Sequence, residues 1–246
     1  MNGPAMSEAI DKVLAGAVAD GAVPHVAAIA ADADGLIYEG AFGPRKLGQP
    51  EPVSTDGTEF PLMSMTKIVA TVAALQLAEQ GSLDLDAPVD EYRPEFADVQ
   101  VLDGFDGDKP RLRQPASRAT VRQLITHTSG LGYWFLEADL ARYERVTGVP
   151  NVTPGLIEAL GAPLVADPGT GFHYGISTDW LGRVVEAVAG RELDAVVADG
   201  ITGPLGMDGT LFMLPPERWE ARTTVHLKDQ AGNWLDIGDT TNRVDP

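Results

Sequence analysis

Cysteine is absent from the 246-residue chain, which excludes disulfides, thiolate nucleophiles and cysteine metal sites. Basic residues are scarce too: 18 Lys and Arg stand against 36 Asp and Glu, a formal net charge of −18. Such a surface repels phosphate backbones and anionic lipid, so neither nucleic acid nor a membrane is expected as a partner. No run approaches the roughly 18 apolar residues of a membrane span. The N-terminal stretch MNGPAMSEAIDKVLAGAVADGAV lacks the basic start and apolar centre of a signal peptide. A soluble, cytoplasmic protein is the resulting expectation. There is no glycine-rich phosphate loop and no G-x-S-x-G elbow of an α/β-hydrolase. The aspartates within 84–90 and 103–108 lack the glycine and terminal glutamate of a calcium loop and read as solvated loop carboxylates. No cofactor and no metal site is expected.

What is present suffices for a folded core, since 44% of the residues are hydrophobic. Ser7 is placed to cap a first helix carrying Ile10, Val13, Leu14 and Val18. PHVAAIAAD and GLIYEGAFG read as two strands joined by an Asp-Gly turn. IVATVAALQLAEQG reads as a helix with Ile68, Val72 and Leu75 as its stripe and Gly81 as its stop. The long segment 82–117, rich in Pro, Asp and Gly, reads as a connection. Thr120 and Gln123 have capping-box spacing before a short helix that ends near Gly130. NVTPGLIEALGAPLV reads as a helix capped by Thr153 with Pro154 at its first position. STDWLGRVVEAVAG is a helix with Trp180, Val184 and Val188 on one face, and ELDAVVADGITGPLGM is a further helix and turn. The tail reads as a polar hairpin. One two-stranded ribbon is marginal by itself, so further strands are expected from elsewhere.

The tetrad SMTK, Ser64 to Lys67, carries the chemistry. A serine hydroxyl is a poor nucleophile without a base. Positions i and i+3 share a helix face, so Lys67 can reach the Ser64 oxygen. The helix start adds free N–H groups and a positive dipole end that favour a developing oxyanion. The tetrad alone is weak. With seven Ser and five Lys, a chance S-x-x-K is expected about one time in seven, and Ser64 as a helix cap with Lys67 solvated is the plain alternative. A proton relay is also needed, and Tyr174 in GTGFHYGISTDWLG stands at a second helix start. His127, in THTSG, reads as a turn histidine, and His173 as pointing away from Tyr174 by alternation along an extended segment.

SMTK and its long helix, SLDLDAPVDEYRPEF, LITHTSGL and GTGFHYGISTDWLGRVVEAVAG stand in this order. Together they resemble the serine β-lactamase and penicillin-binding-protein-like hydrolases, and within them the class C β-lactamase-like esterases called family VIII carboxylesterases. The likeness runs from about residue 20 to about 215. It implies an α+β fold of β-lactamase/transpeptidase type, an antiparallel sheet flanked by helices with a mainly helical domain. Residues 1–75 would be the N-terminal part of the α/β domain and 76–246 the mainly helical one, with the remaining sheet strands beyond 246. It implies an acyl-enzyme on Ser64, with Lys67 and Tyr174 as general base and acid. The oxyanion would meet the Ser64 N–H and a second N–H from a late strand. Tyr133, Trp134, Phe135 and Ile176 are the expected substrate-binding residues, with the core of the helical domain as the alternative place for the three aromatics.

Two features depart from the family pattern. Tyr174-Gly175-Ile176 lacks the asparagine that class C lactamases carry at its third position, which favours esters over β-lactams. The third motif, Lys-Thr-Gly or a Trp/His-x-Gly equivalent, is missing: Trp180-Leu181-Gly182 has the letters but sits in the helix after Tyr174. A C-terminal segment of the same protein is therefore expected as the partner that completes the fold, beside a small-molecule ester substrate. The alternatives are β-lactamase, D-amino-peptidase or acyltransferase action on the same fold, and a non-catalytic binding fragment.

Overall fold

The structure, a computed structural model, describes residues 3–153 and 155–238. Two compact units form. One comprises the chain up to Leu62 and again from Met213; the other is Met63–Phe212. The boundary therefore falls just before the SMTK tetrad and not after residue 75, because the helix that follows Ser64 packs within the second unit.

In the first unit, α1 (Pro4–Ala19) starts at a proline, which suits the first helical position, so Ser7 lies inside the helix and caps nothing. β1 (Val26–Asp32) and β2 (Gly35–Phe42) pair antiparallel through the expected turn, with an irregularity between Ala30 and Ala31. Tyr38 of β2 is buried and donates to Asp11 of α1 at 2.7 Å.

The second unit holds the larger core. α2 (Thr66–Glu79) buries Ala70, Ala73 and Ala74 and leaves Ile68, Val72 and Leu75 exposed. The expected stripe is thus the open face. Small alanines on the inner face permit close packing on α6 (Ser177–Ala189), whose Trp180, Leu181, Val184 and Val185 fill the centre. Phe96 meets Trp180 edge-on, centroids 4.8 Å apart.

The segment 82–117 is not a bare connection. It forms α3 (Val89–Tyr92), a 3₁₀ turn (Pro94–Asp98), and a hairpin of β3 (Val101–Asp106) and β4 (Lys109–Arg113). The pairing slips between Leu102 and Phe105, and β4 is KPRLR, so neither strand shows alternation of apolar and polar residues. Its aspartates pair with arginines: Asp86 with Arg122, Asp90 with Arg118, Asp106 with Arg111.

Thr120 caps α4 (Val121–Ile125) in a full box with Gln123, as its spacing predicts, although the helix stops five residues before Gly130. Thr120→Ala is expected to cost about 1 kcal/mol, read as a lower denaturation midpoint with an unchanged m-value. α5 is Ala138–Thr147, and α7 (Leu193–Val197) runs on into a π turn, Ala198–Thr202.

The helix expected over NVTPGLIEALGAPLV is reduced to one 3₁₀ turn, Ile157–Gly161. Gly155 takes a left-handed φ of 72° and Pro163 bars continuation, so only a short turn fits between them. The expected first-position proline, Pro154, lies outside the described residues. In the first unit, β5 (His226–Lys228) and β6 (Trp234–Asp236) form the tail hairpin. The described strands make three separate two-stranded ribbons. Among the described residues no helix is long and apolar enough to cross a membrane.

Candidate active site

Ser64 lies in the 3₁₀ turn Met63–Met65 that leads into α2, and its side chain is exposed. Lys67 follows in the first turn of α2 and donates from Nζ to Ser64 Oγ at 3.3 Å. No side chain caps α2 and no acid sits in its first turn, so the positive helix end beside Ser64 is left uncompensated. Ser64 is therefore bonded to the lysine rather than spent on a cap.

Two phenols converge on Lys67. Its Nζ lies 5.4 Å from the Tyr133 ring centroid and 5.1 Å from that of Tyr174. Burial pulls the ammonium down, but Tyr133 and Tyr174 outweigh that and hold it above the ordinary lysine value. Tyr133 is itself buried, and burial pushes its phenol up, as does the charge of Asp179.

Gly175 explains how the two tyrosines meet. A Cβ there would stand 2.3 Å from the Leu131 carbonyl oxygen and 2.4 Å from the Gly132 carbonyl carbon. Only glycine lets the segment after Tyr174 lie flat on the segment before Tyr133, and the two rings then pack edge to face at 5.5 Å. A buried bond of 2.9 Å between Ser129 and Ser177 hydroxyls joins the same two stretches. Gly175→Ala is expected to cost roughly 3 kcal/mol or more by overpacking, and to release the tyrosine pair. A normal melting temperature in the variant would contradict the close approach.

His127 also belongs here. Its φ of 55° is one of only two positive values at non-glycine residues among the described residues; the other is Met63, next to Ser64. The imidazole packs 4.8 Å from the Tyr174 ring, and Nδ1 takes the Gly175 N–H at 3.5 Å. Burial first, and then the Lys67 charge, lower its pKa. It supports Tyr174, a role that a turn histidine in sequence does not disclose. His173 faces away, 3.0 Å from Glu137.

Of the expected substrate-binding residues, Tyr133 is buried beside Lys67 and stacks on the exposed Phe135 at 4.9 Å, and the exposed Trp134 meets Phe135 edge-on at 5.6 Å. Ile176 is buried in the core, directly before α6. The cleft next to Lys67, about 460 Å³, lies between α2 and α6. Its apolar walls come from Leu156, Ile157, Leu160 and Phe212, and its polar ones from Asp179 and Arg183. Sequence reasoning missed these walls because the 3₁₀ turn that supplies most of them reads as a helix. No cluster of His, Asp or Glu among the described residues is arranged to hold a metal ion.

Ser64 and Lys67 at the start of α2 thus stand beside Tyr133 and Tyr174 from two later segments. The β-lactamase family model matches residues 10–245. The chain belongs to the β-lactamase family. Among family relatives, the lovastatin esterase of Penicillium rubens is 37% identical over 209 residues, 82% of this chain and 52% of that protein. Esterase EstB of Burkholderia gladioli is 33% identical over 89% of this chain and 55% of its own length. The unliganded simvastatin synthase LovD of Aspergillus terreus superposes with a TM-score of 0.81 at 33% identity, covering 95% of this chain and 62% of that one. The β-lactamase/transpeptidase-type fold is thereby established. The chain spans about half the length of the curated relatives it matches.

Proposed function

We propose that this chain carries the nucleophile half of a serine esterase, cleaving carboxylic esters through an acyl-enzyme on Ser64. The observation that carries the reading is the 3.3 Å contact of Lys67 with Ser64 beneath two phenols. Ser64 Oγ attacks the ester carbonyl, and its proton enters the Lys67–tyrosine cluster. Tyr174 hands a proton to the leaving alkoxide, and water then releases the acid by the reverse sequence. Lys67 is held as an ammonium, so the base is the cluster with one proton fewer, not a free amine. The developing oxyanion lies by the Ser64 N–H at the uncapped end of α2.

Tyr174-Gly175-Ile176, with no amide at its third place, favours esters over β-lactams. The test is turnover of 4-nitrophenyl butyrate against nitrocefin. The ester is expected to win by roughly 10²-fold or more in kcat/KM; comparable rates would overturn the preference. Acyl transfer to an alcohol is the second reading. It is favoured by the 36% identity to the monacolin J acid methylbutanoyltransferase of Aspergillus terreus over 78% of this chain. Partition of the acyl group between water and an added alcohol separates the two.

A further inference from the structure

The cleft beside Lys67 contains a carboxylate to which the proposed ester mechanism gives no proton-transfer step. Asp179 sits in the first turn of α6 and opens onto the cleft. The other charged groups lining it are Lys67, Arg183 and Glu186. Arg183 and Glu186 pair with each other, and Lys67 is engaged by Ser64, Tyr133 and Tyr174. No Lys, Arg or His among the described residues lies within ion-pair distance of the Asp179 carboxylate. Its neighbours in the cleft are largely apolar, among them Val152, Leu156, Ile157 and Phe212. The Asp179 carboxylate is exposed at the cleft, so its field reaches whatever enters, weakened by water and salt and partly offset by the Lys67 charge.

We infer that Asp179 is a specificity-determining charge filter: the cleft admits esters whose acyl or alcohol group is uncharged or bears an ammonium, and it disfavours those bearing a carboxylate. This rests on the serine-esterase reading of the same site. The chemistry is a choice among substrates, so the bonds made and broken are unchanged. Asp179 acts through space on the bound group, not on the scissile carbonyl.

The experiment uses the full chain and two ester series. In the first, the charge is on the acyl group: 4-nitrophenyl hexanoate, the 4-nitrophenyl half-ester of adipate, and an ω-trimethylammonium analogue of the hexanoate. In the second, the charge is on the alcohol: ethyl, choline and glycolate esters of hexanoate. In at least one series the kcat/KM ratio of cationic to anionic ester is expected to be high. Asp179→Asn should then lower that ratio by roughly tenfold. Asp139→Asn, an equal change of net charge in the first turn of α5 and outside the cleft, should leave it unaltered. In the parent protein the ratio should shrink as ionic strength rises from about 10 mM to about 1 M, a readout that needs no variant. Turnover of the neutral esters with a ratio unchanged by Asp179→Asn and by salt in both series would overturn the filter alone. An equal effect of Asp139→Asn would do the same. Failure to turn over any ester, neutral ones included, would overturn the esterase reading and this inference with it.

Discussion

Ser64→Ala is expected to abolish ester turnover, with kcat falling by roughly 10³-fold or more, while the melting temperature stays within a degree or two of the parent. The two halves of this expectation have separate causes. Ser64 is exposed in a turn, it caps no helix, and its hydroxyl bonds to Lys67. Losing it therefore opens no cavity and strips no backbone group of a partner. Chemically it leaves the cluster with no oxygen to acylate. Turnover that persisted in the variant would place the nucleophile elsewhere, whereas a large loss of stability would assign Ser64 to the architecture.

Tyr174→Phe carries the second large effect, a fall in kcat of about 10²–10⁴-fold with little change in KM. In the proposed mechanism the phenol is the proton path to the leaving alkoxide, and the ring itself, seated on His127, is retained in phenylalanine. The pH profile supplies the sharper readout. Lys67 is held above its ordinary pKa because the gain from two phenols exceeds the loss from burial. A lysine held above its ordinary pKa keeps its proton more firmly, so kcat/KM should climb as pH rises into the alkaline range. Removing the Tyr174 hydroxyl removes part of what holds the ammonium, so the climb should shift to lower pH even as the plateau drops. A profile flat from pH 7 to pH 10 (about the range of these groups), in both proteins, would contradict this account of the base.

The proposed trio, Ser64, Lys67 and Tyr174, could be picked out in sequence because each member comes from a local signal. S-x-x-K needs only one helical turn, and Tyr174 stands just before a helix whose Trp180 and Val184 are unmistakably buried. The capping box at Thr120 was equally local. What stayed hidden depends on contacts distant in the chain. Gly175 reads only as the middle residue of Tyr174-Gly175-Ile176 until the Leu131–Gly132 backbone is found against it. Tyr133 reads as a pocket wall, yet it shares Lys67 with Tyr174. The stripe of α2 was assigned to the wrong face because packing on α6 selects small alanines over Ile68 and Leu75. The β3–β4 hairpin was invisible because its register slip and the charges of β4 erase the period of two. The cleft walls lay in a segment where Gly155 and Pro163 defeat a helical pattern that the apolar residues alone suggest.

The most direct measurement is the intact mass of the protein under denaturing conditions, before and after a fluorophosphonate probe, followed by peptide mapping of any adduct. A single adduct on Ser64, absent from Ser64→Ala, is the predicted result; it requires a hydroxyl activated by Lys67 and its two phenols. An unmodified protein of 26.0 kDa, or an adduct mapped to any other residue, would contradict the central claim that this chain holds an activated serine.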